Sequence, residues 1–534
     1  MMGKRMTFLV GPEAHEVFFK ASDDELSQEE VYKFMIPVFG KGVVYDAPPK
    51  IRRQQFRFLG TGLRGRRLKS YVPLLIQEAQ DFFSKWGDSG EVDILDKLSE
   101  LTILTASRCL MGQEVREKLF EEVAGLFHTL DKGITPLSVF WPHAPVPSHW
   151  ARDRARKDMV KLLSPVIRKK REEIKKDPDG DHGDDMLAFL VQVKYKDGRY
   201  LTVHEIVGFF VALLFAGQHT SSITATWTTL FLAHHPKILE RVVTEQDDIL
   251  KESSKDNFKD VDFADVGKMD LGGRCIKEAL RMFPPLILLL RHVRKARNYK
   301  GMTIPKNDIV VASPGMAMRL PNAFDKPEMY DPDRWLRNGG GMRKTSTKFD
   351  FIGFGGGMHA CAGTQFAYLQ LRVVLLVLFQ NFEIEPVCSE LPKPDYTAMV
   401  VGPIHGKETR IRYRRRSSDR RKVTSFSSSS SSSKVQEDTK YSNKYEENQD
   451  VKIQHRDEPT YTKAEIRKHK TKDDCWLIVE NGVYDVTKYV AIHPGGDAIL
   501  SRAGEDATEG FNGPQHPPHA RTTLEQFRIG RLHQ

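Results

Sequence analysis

Cys361 sits in a glycine-rich loop, Phe354-Gly-Gly-Gly-Met-His-Ala-Cys361-Ala-Gly363, that runs directly into an apolar helical stretch. A thiolate in a mostly buried loop needs backbone N–H groups, a helix N-terminus or a metal to hold its charge. Glycines at 355, 356, 357 and 363 let the backbone close on a flat partner without side-chain interference. Haem iron held by one cysteine thiolate suits that geometry and brings oxygen activation with it. On the residues alone, a plain turn with an inert core thiol and a phosphate-cradling loop stay open as alternatives. Glu278 and Arg281 stand one helical turn apart among apolar neighbours, just before Pro284-Pro285, and Arg334 follows in Asp331-Pro-Asp-Arg-Trp335. Such a cluster is either a surface ion pair of little worth or a partly buried base beneath a cofactor loop. Farther on, His493 in His-Pro-Gly-Gly and His516 offer two imidazoles, a pairing suited to a closed, six-coordinate electron-transfer iron. His519 is a competing ligand, and zinc a competing ion.

The elements that must position these groups follow from length and patterning. A chain of 534 residues exceeds one average core. Helical periodicity covers 68–84, 114–130, 154–175, 204–233, 238–252 and 364–379, and short extended stretches at 6–10, 302–304, 309–312 and 410–413 predict small sheets. From Arg414 the composition turns to arginine, then to serines 427–433 and a polar stretch to Pro459, which predicts a disordered linker. Residues 460–534 have apolar positions and turn signals of their own. Five scattered cysteines argue against a disulfide framework. The net charge of +10 suits anionic surfaces, but with no basic helix, zinc spacing or stacking motif it does not point to nucleic acid. No run reaches the ~20 apolar residues of a membrane span, and 206–217 reads as a buried core helix.

Taken together, Glu278 with Arg281, the P-D-R-W stretch and the F-x-x-G-x-x-x-C-x-G loop (Phe354, Gly357, Cys361, Gly363) resemble the cytochrome P-450 monooxygenases over nearly all of 4–413. Ala216-Gly-Gln-His-Thr-Ser-Ser222 looks like the central helix of that fold. Its His219-Thr220 pair stands where an acid–threonine pair is usual, a substitution typical of the sterol 14α-demethylases. The last segment, from Tyr461 through Cys475-Trp-Leu-Ile and Tyr484-Asp-Val-Thr to Leu532, resembles cytochrome b5.

The resemblance implies a mainly α fold with small β-sheets, followed by a small α+β domain. The expected domains are 1–413 (the P-450 part), 414–459 (linker) and 460–534 (the b5-like part). It implies two haems b, one on Cys361 and one on His493 and His516. Tyr32, Tyr45, Arg53, Arg291 and His359 are then expected at the propionates, where cationic and hydroxyl donors suit buried carboxylates. His219 and Thr220 would deliver protons, although a threonine hydroxyl bonded back to its own helix is the competing reading. Phe34, Met35, Phe39, Phe215, Ala216, Leu286, Leu288, Met399 and Val400 would line a sterol pocket, and phenylalanine at position 34 resembles the pattern of obtusifoliol-like substrates. Glu278, Arg281 and Arg334 are structural. The implied activity is O2-dependent removal of the sterol 14α-methyl group in sterol biosynthesis, with electrons from an external NADPH- or NADH-dependent reductase and from the b5-like part. The implied location is the cytosolic face of the endoplasmic reticulum membrane, with the cytosol as alternative. Family members carry an anchor, a hinge, a helix and a strand before the point where this chain begins. The first domain therefore reads as N-terminally truncated, with an unpaired edge at 6–10. The alternatives to turnover are a catalytically impaired haem- and sterol-binding protein and an electron carrier.

Overall fold

In the computed structural model the apolar pattern at 204–233 becomes the helix Val203–His234, the longest element of the first unit. The residues described are 5–178, 180, 182–252, 258–336, 349–416, 459–490, 493, 496–511, 524–525 and 527–533. A capping box starts this helix. Glu205 N donates to Thr202 Oγ1 at 3.2 Å, and Thr202 N donates to Glu205 Oε2 at 2.7 Å, an arrangement typically worth ~1 kcal/mol. The helix is buried on nearly all sides, as expected of a core element rather than an amphipathic one. Trp227 stacks on Phe283 at 3.8 Å between centroids, and burying a large apolar side chain of this kind contributes about 1.5–3 kcal/mol. By length and composition Val203–His234 could span a bilayer. Most of that apolar window is buried inside the unit, in keeping with the sequence reading of 206–217 as a buried core helix. Among the polar residues that interrupt its apolar run, Thr224, Thr226 and Thr228 bond their hydroxyls back to carbonyls one turn earlier.

Around this axis pack the helices Arg66–Ser84, Ile94–Met111, Phe120–Lys132, Pro147–Lys176, Pro236–Glu252, Asp270–Met282 and Thr364–Asn381. The single helix expected at 114–130 is two, Gln113–Lys118 and Phe120–Lys132. They break at Leu119, whose φ/ψ of −127° and 8° leaves the helical region. Arg116 there reaches Glu78 at 2.8 Å and lies over the Phe120 ring, so the break serves that ion pair.

A four-stranded sheet orders Met6–Leu9, Ile309–Ala312, Leu289–Val293 and Leu26–Ser27. Met6–Leu9 is parallel to Ile309–Ala312 and forms the sheet's edge, with Met6 and Phe8 exposed. A second sheet orders Ser89–Asp93, Arg410–Arg415 and Phe382–Pro386. Its middle strand runs past 413, where the basic composition had placed the start of the linker. Arg414 pairs with Glu383 at 2.6 Å, and Arg415 donates to the Trp86 carbonyl at 2.5 Å. The disorder expected beyond lies at residues 417–458, outside the described residues.

The chain divides into two compact units, Met1–Ser427 and Ser428–Gln534. The second holds a five-stranded sheet ordered Thr460–Tyr461, Arg528–Leu532, Gly482–Asp485, Asp474–Val479 and Lys470–Thr471. The hairpin pairing Val479 with Gly482 turns through Glu480 at φ 58°, the left-handed geometry favoured in two-residue hairpin loops. Cys475, Leu477, Tyr484, Val486, Val490 and Leu524 form its core.

Candidate active site

The loop before Thr364–Asn381 is fixed by backbone geometry that favours glycine. Gly355 and Gly357 have φ of 69° and 65°, and a Cβ at Gly357 would lie 1.9 Å from the Phe19 carbonyl oxygen. Cys361 N donates to Phe354 O at 2.9 Å, and Thr364 Oγ1 donates to Cys361 O at 3.0 Å. The protein around Cys361 pushes its thiol pKa up, while hydrogen bonds from the Gly363 amide and the Thr364 side chain act in the opposite direction. Yet the residue is accessible. An accessible soft sulfur in such a loop fits a bound metal ion, whose own charge stabilises a thiolate.

Glu278, Arg281 and Arg334 form one buried cluster, with side-chain exposures of 0%, 0% and 5%. Arg281 makes a fork to Glu278, Nε to Oε2 at 3.0 Å and Nη2 to Oε1 at 2.9 Å, and Arg334 Nε donates to Oε1 at 2.8 Å. Further guanidinium protons go to carbonyls of Met318, Asp325, Lys326 and Met329, so that every guanidinium nitrogen has a partner. The surface-pair reading is thereby excluded. This is a saturated network of charge-assisted bonds that ties the helix Asp270–Met282 to the segment before the cysteine loop.

A second network joins residues expected at a cofactor's carboxylates. His359 Nε2 lies 2.7 Å from Asp23 Oδ1, and the imidazole holds the Asp23 carboxyl below its ordinary range against the opposing effect of burial. With its amide oriented to suit its neighbours, Gln28 donates to His359 Nδ1 at 3.1 Å and accepts from both Arg291 Nη atoms at 2.9 and 3.1 Å. Arg291 is buried, which lowers its pKa, and lies over the Phe18 ring at 4.9 Å. Tyr32 and Tyr45 stack at 5.1 Å. Burial and then Tyr32 push the Tyr45 phenol above its ordinary pKa, opposed by Arg291 and Arg52. Arg53 is exposed. Its neighbour Arg52 is buried against Asp23 at 3.4 Å. Asp23, Gln28 and Arg52 were not singled out from the sequence; a carboxylate and an amide among the polar residues 22–30 carry no spacing signal.

The central helix opens at one place. From Phe215 to Thr220 no side chain is fully buried and Ala216 is exposed, although Glu205–Ala212 before it and Ser221–Ala233 after it are buried. Thr220 Oγ1 donates to Ala216 O at 2.6 Å, so its hydroxyl bonds back to its own helix here. His219 Nε2 lies 3.2 Å from Asp131 Oδ1, and both side chains are about one-third exposed. Asp131, at the end of Phe120–Lys132, stands 88 residues away in sequence and was also missed.

Apolar residues of the expected pocket gather around that opening. Phe39 meets Tyr45 at 6.0 Å and Phe215 at 6.2 Å, and Phe127 meets Phe215 at 4.6 Å. Gly208 allows this approach, because a Cβ there would lie 2.5 Å from Phe39 O. Phe34 and Phe39 are buried, and Met35, Phe215 and Val400 pack partly buried on the same core. Leu286, Leu288 and Met399 are exposed. Val401 N donates to Pro285 O at 2.8 Å, which brings 399–401 beside 285–288, and Gly402 approaches Ile223 of the central helix.

In the second unit His493 follows the short helix Thr487–Val490, and its ring lies 5.8 Å from that of Tyr489. His516 and its competitor His519 lie outside the described residues.

Comparisons with known proteins agree with this geometry. Residues 1–408 match the cytochrome P450 family model, and residues 462–533 match the cytochrome b5-like haem/steroid binding domain. A sterol 14-demethylase of Arabidopsis thaliana is 45% identical over 421 residues, covering 78% of this chain and 83% of its own length. An obtusifoliol 14-alpha demethylase of Sorghum bicolor is 45% identical over 77% of this chain and 82% of its own length. A lanosterol 14-alpha demethylase of Mus musculus is 37% identical over 78% and 80%. The retinoic acid bound cyanobacterial CYP120A1 matches in fold, with a TM-score of 0.66 over 78% of this chain and 90% of that one at 22% identity. The mainly helical first unit with small sheets is thus a P450 fold, both matched regions are haem-binding, and the chain belongs to the cytochrome P450 family, alongside its sterol 14-demethylases, with a cytochrome b5-like segment at its C-terminal end.

Proposed function

We propose that the chain is a haem-thiolate monooxygenase that removes the 14α-methyl group of a sterol, oxidising it through alcohol and aldehyde to formate and leaving a 14,15 double bond. Cys361 would hold the iron of the first haem, which when bound supplies the oxygen-activating chemistry of a thiolate-ligated centre. Tyr32, Tyr45, Arg53, Arg291 and His359 would receive its propionates. The observation that carries the reading is the open stretch 215–220 of an otherwise buried helix, with His219 tied to Asp131. An imidazole bridging a carboxylate about one-third exposed and the helix opening is placed to pass protons inward. Thr220, one residue on, would exchange its bond to Ala216 O for one to a water in the opening. The apolar side chains Phe34, Met35, Phe39, Phe215, Ala216, Leu286, Leu288, Met399 and Val400 would hold the sterol and exclude bulk water. An obtusifoliol-like substrate is favoured by Phe34 and by the names of the plant relatives.

In the second unit His493 and His516 would hold a haem suited to electron transfer, fed with the first unit by an external NADPH- or NADH-dependent reductase. A linker-tethered donor acts at an effective concentration around millimolar. Association with the cytosolic face of the endoplasmic reticulum membrane is supported by an exposed apolar group, Leu137, Phe140, Trp141 and Trp150, residues of the kind that settle at lipid interfaces. The test is turnover of a sterol by the full chain with reductase, NADPH and O2. The reading predicts formate and the 14,15-unsaturated sterol in equal amounts. A sterol-induced spectral shift with neither product would make the chain a binding protein.

A further inference from the structure

The helix Pro12–Lys20 lies directly against the cysteine loop, and one of its residues has a role that the proposed function leaves unassigned. His15 has 0% exposure. Its Nδ1 lies 3.1 Å from the carbonyl oxygen of Phe349, in the segment that leads into the loop. One turn later Phe19 stacks on the Phe349 ring, 5.3 Å between centroids at 20°. The Phe19 ring also faces Gly356, where an added Cβ would lie 3.0 Å from it, and the Phe19 carbonyl abuts Gly357. His15 and Phe19 therefore grip Phe349 by backbone and ring at once, while Phe19 alone presses on the turn that Cys361 closes through its bond to Phe354 O. Phe18 braces Phe19 edge-on at 5.1 Å.

We infer that His15 is a positioning residue for the Cys361 thiol: by donating Nδ1–H to Phe349 O it locks the entry of the cysteine loop onto the helix Pro12–Lys20. A carbonyl only accepts, so Nδ1 must carry the proton in this contact. Burial lowers the pKa of His15 more than the facing carbonyls of Phe349 and Leu9 raise it, so the neutral form is favoured. A leucine would fill the space but take the imidazole donor away from the Phe349 carbonyl. An asparagine side-chain amide can take over the Nδ1–H donation, since it places a donor at about the same reach.

The inference rests on Cys361 being the iron ligand, and the experiment separates the two. Full-length holoprotein is reduced under CO, and the decay of the thiolate Soret band is followed beside total haem content. His15→Leu should keep its haem yet lose the thiolate band about fivefold faster than wild type, the factor expected for one net hydrogen bond. His15→Asn should restore most of the wild-type lifetime. Phe19→Leu, which leaves the hydrogen bond and removes only the ring stack, should show a smaller acceleration. A His15→Leu protein that binds haem and holds the band as long as wild type would overturn the inference, as would equal decay in His15→Leu and His15→Asn. If instead Cys361→Ala retains the band, the ligand assignment itself is wrong.

Discussion

Two charged groups flank the candidate site, and they are built in opposite ways. Glu278, Arg281 and Arg334 are sealed from water, and the carboxylate and both guanidinium groups are met by charge-assisted bonds. His219 and Asp131 share one contact at 3.2 Å and keep about a third of their surface open. The first arrangement cannot change charge without stranding a partner in the protein interior, so it suits holding the backbone under the cysteine loop. The second keeps both side chains within reach of solvent, so it suits the proposed role in delivery. Burial and saturation, rather than residue type, separate scaffold from chemistry here.

The comparison can be broken first at Glu278. Glu278→Ala leaves two buried guanidinium groups without their carboxylate and should cost about 3–5 kcal/mol. It should be read as a lowered melting temperature of the first unit and poor haem retention. Asp131→Asn should do the reverse. Stability should move by no more than ~0.5 kcal/mol, as for an exposed pair, while sterol turnover falls on the order of tenfold. That is less than the 10²–10⁴ of a directly acting acid or base, because Asp131 works through His219. An altered solvent isotope effect on turnover would distinguish proton delivery from a packing defect. If Asp131→Asn unfolds the protein and Glu278→Ala does not, the contrast is wrong.

A smaller effect belongs to Asp333, beside the buried cluster. It accepts from Arg241 at 2.8 and 2.9 Å and from Arg274 at 2.5 Å. Arg241 is the main cause that holds its pKa at about 2, against an ordinary 3.8. A carboxyl depressed on folding contributes stability above its unfolded value and loses it as pH falls through the folded one. The stability gap between wild type and Asp333→Asn should therefore be constant above pH ~4 and close towards pH ~2. Denaturant melts across that range measure it, and a gap that widens on acidification contradicts the assignment.

Much of the scaffold was legible because it is local. Glu278 and Arg281 sit one turn apart, the glycines lie within a few residues of Cys361, and the helix and strand periods at 204–233, 302–304 and 309–312 reappear as elements. What escaped is distant in sequence. Asp131 is 88 residues from His219, and Asp23 is 336 from His359, so no spacing rule links them. The end of the strand Arg410–Arg415 was hidden for another reason. Arginines at an exposed sheet position look, in composition, like the arginines of a linker, and only the partners Glu383 and Trp86 O tell them apart. The residues proposed for the pocket could be named as apolar but not sorted, because core and lining share the same chemistry. Phe34 and Phe39 prove buried while Leu286, Leu288 and Met399 are exposed.

The most direct test of the whole account is the spectrum of the reduced, CO-bound full chain and of its Cys361→Ala variant. The b5-like segment gives an internal reference, since a haem held by two imidazoles has no open position for CO. The account predicts a thiolate Soret band in the wild type that disappears in Cys361→Ala, while the reduced spectrum of the second haem is unchanged. A thiolate band that survives in Cys361→Ala, or is absent from a wild type carrying its full haem, would contradict it.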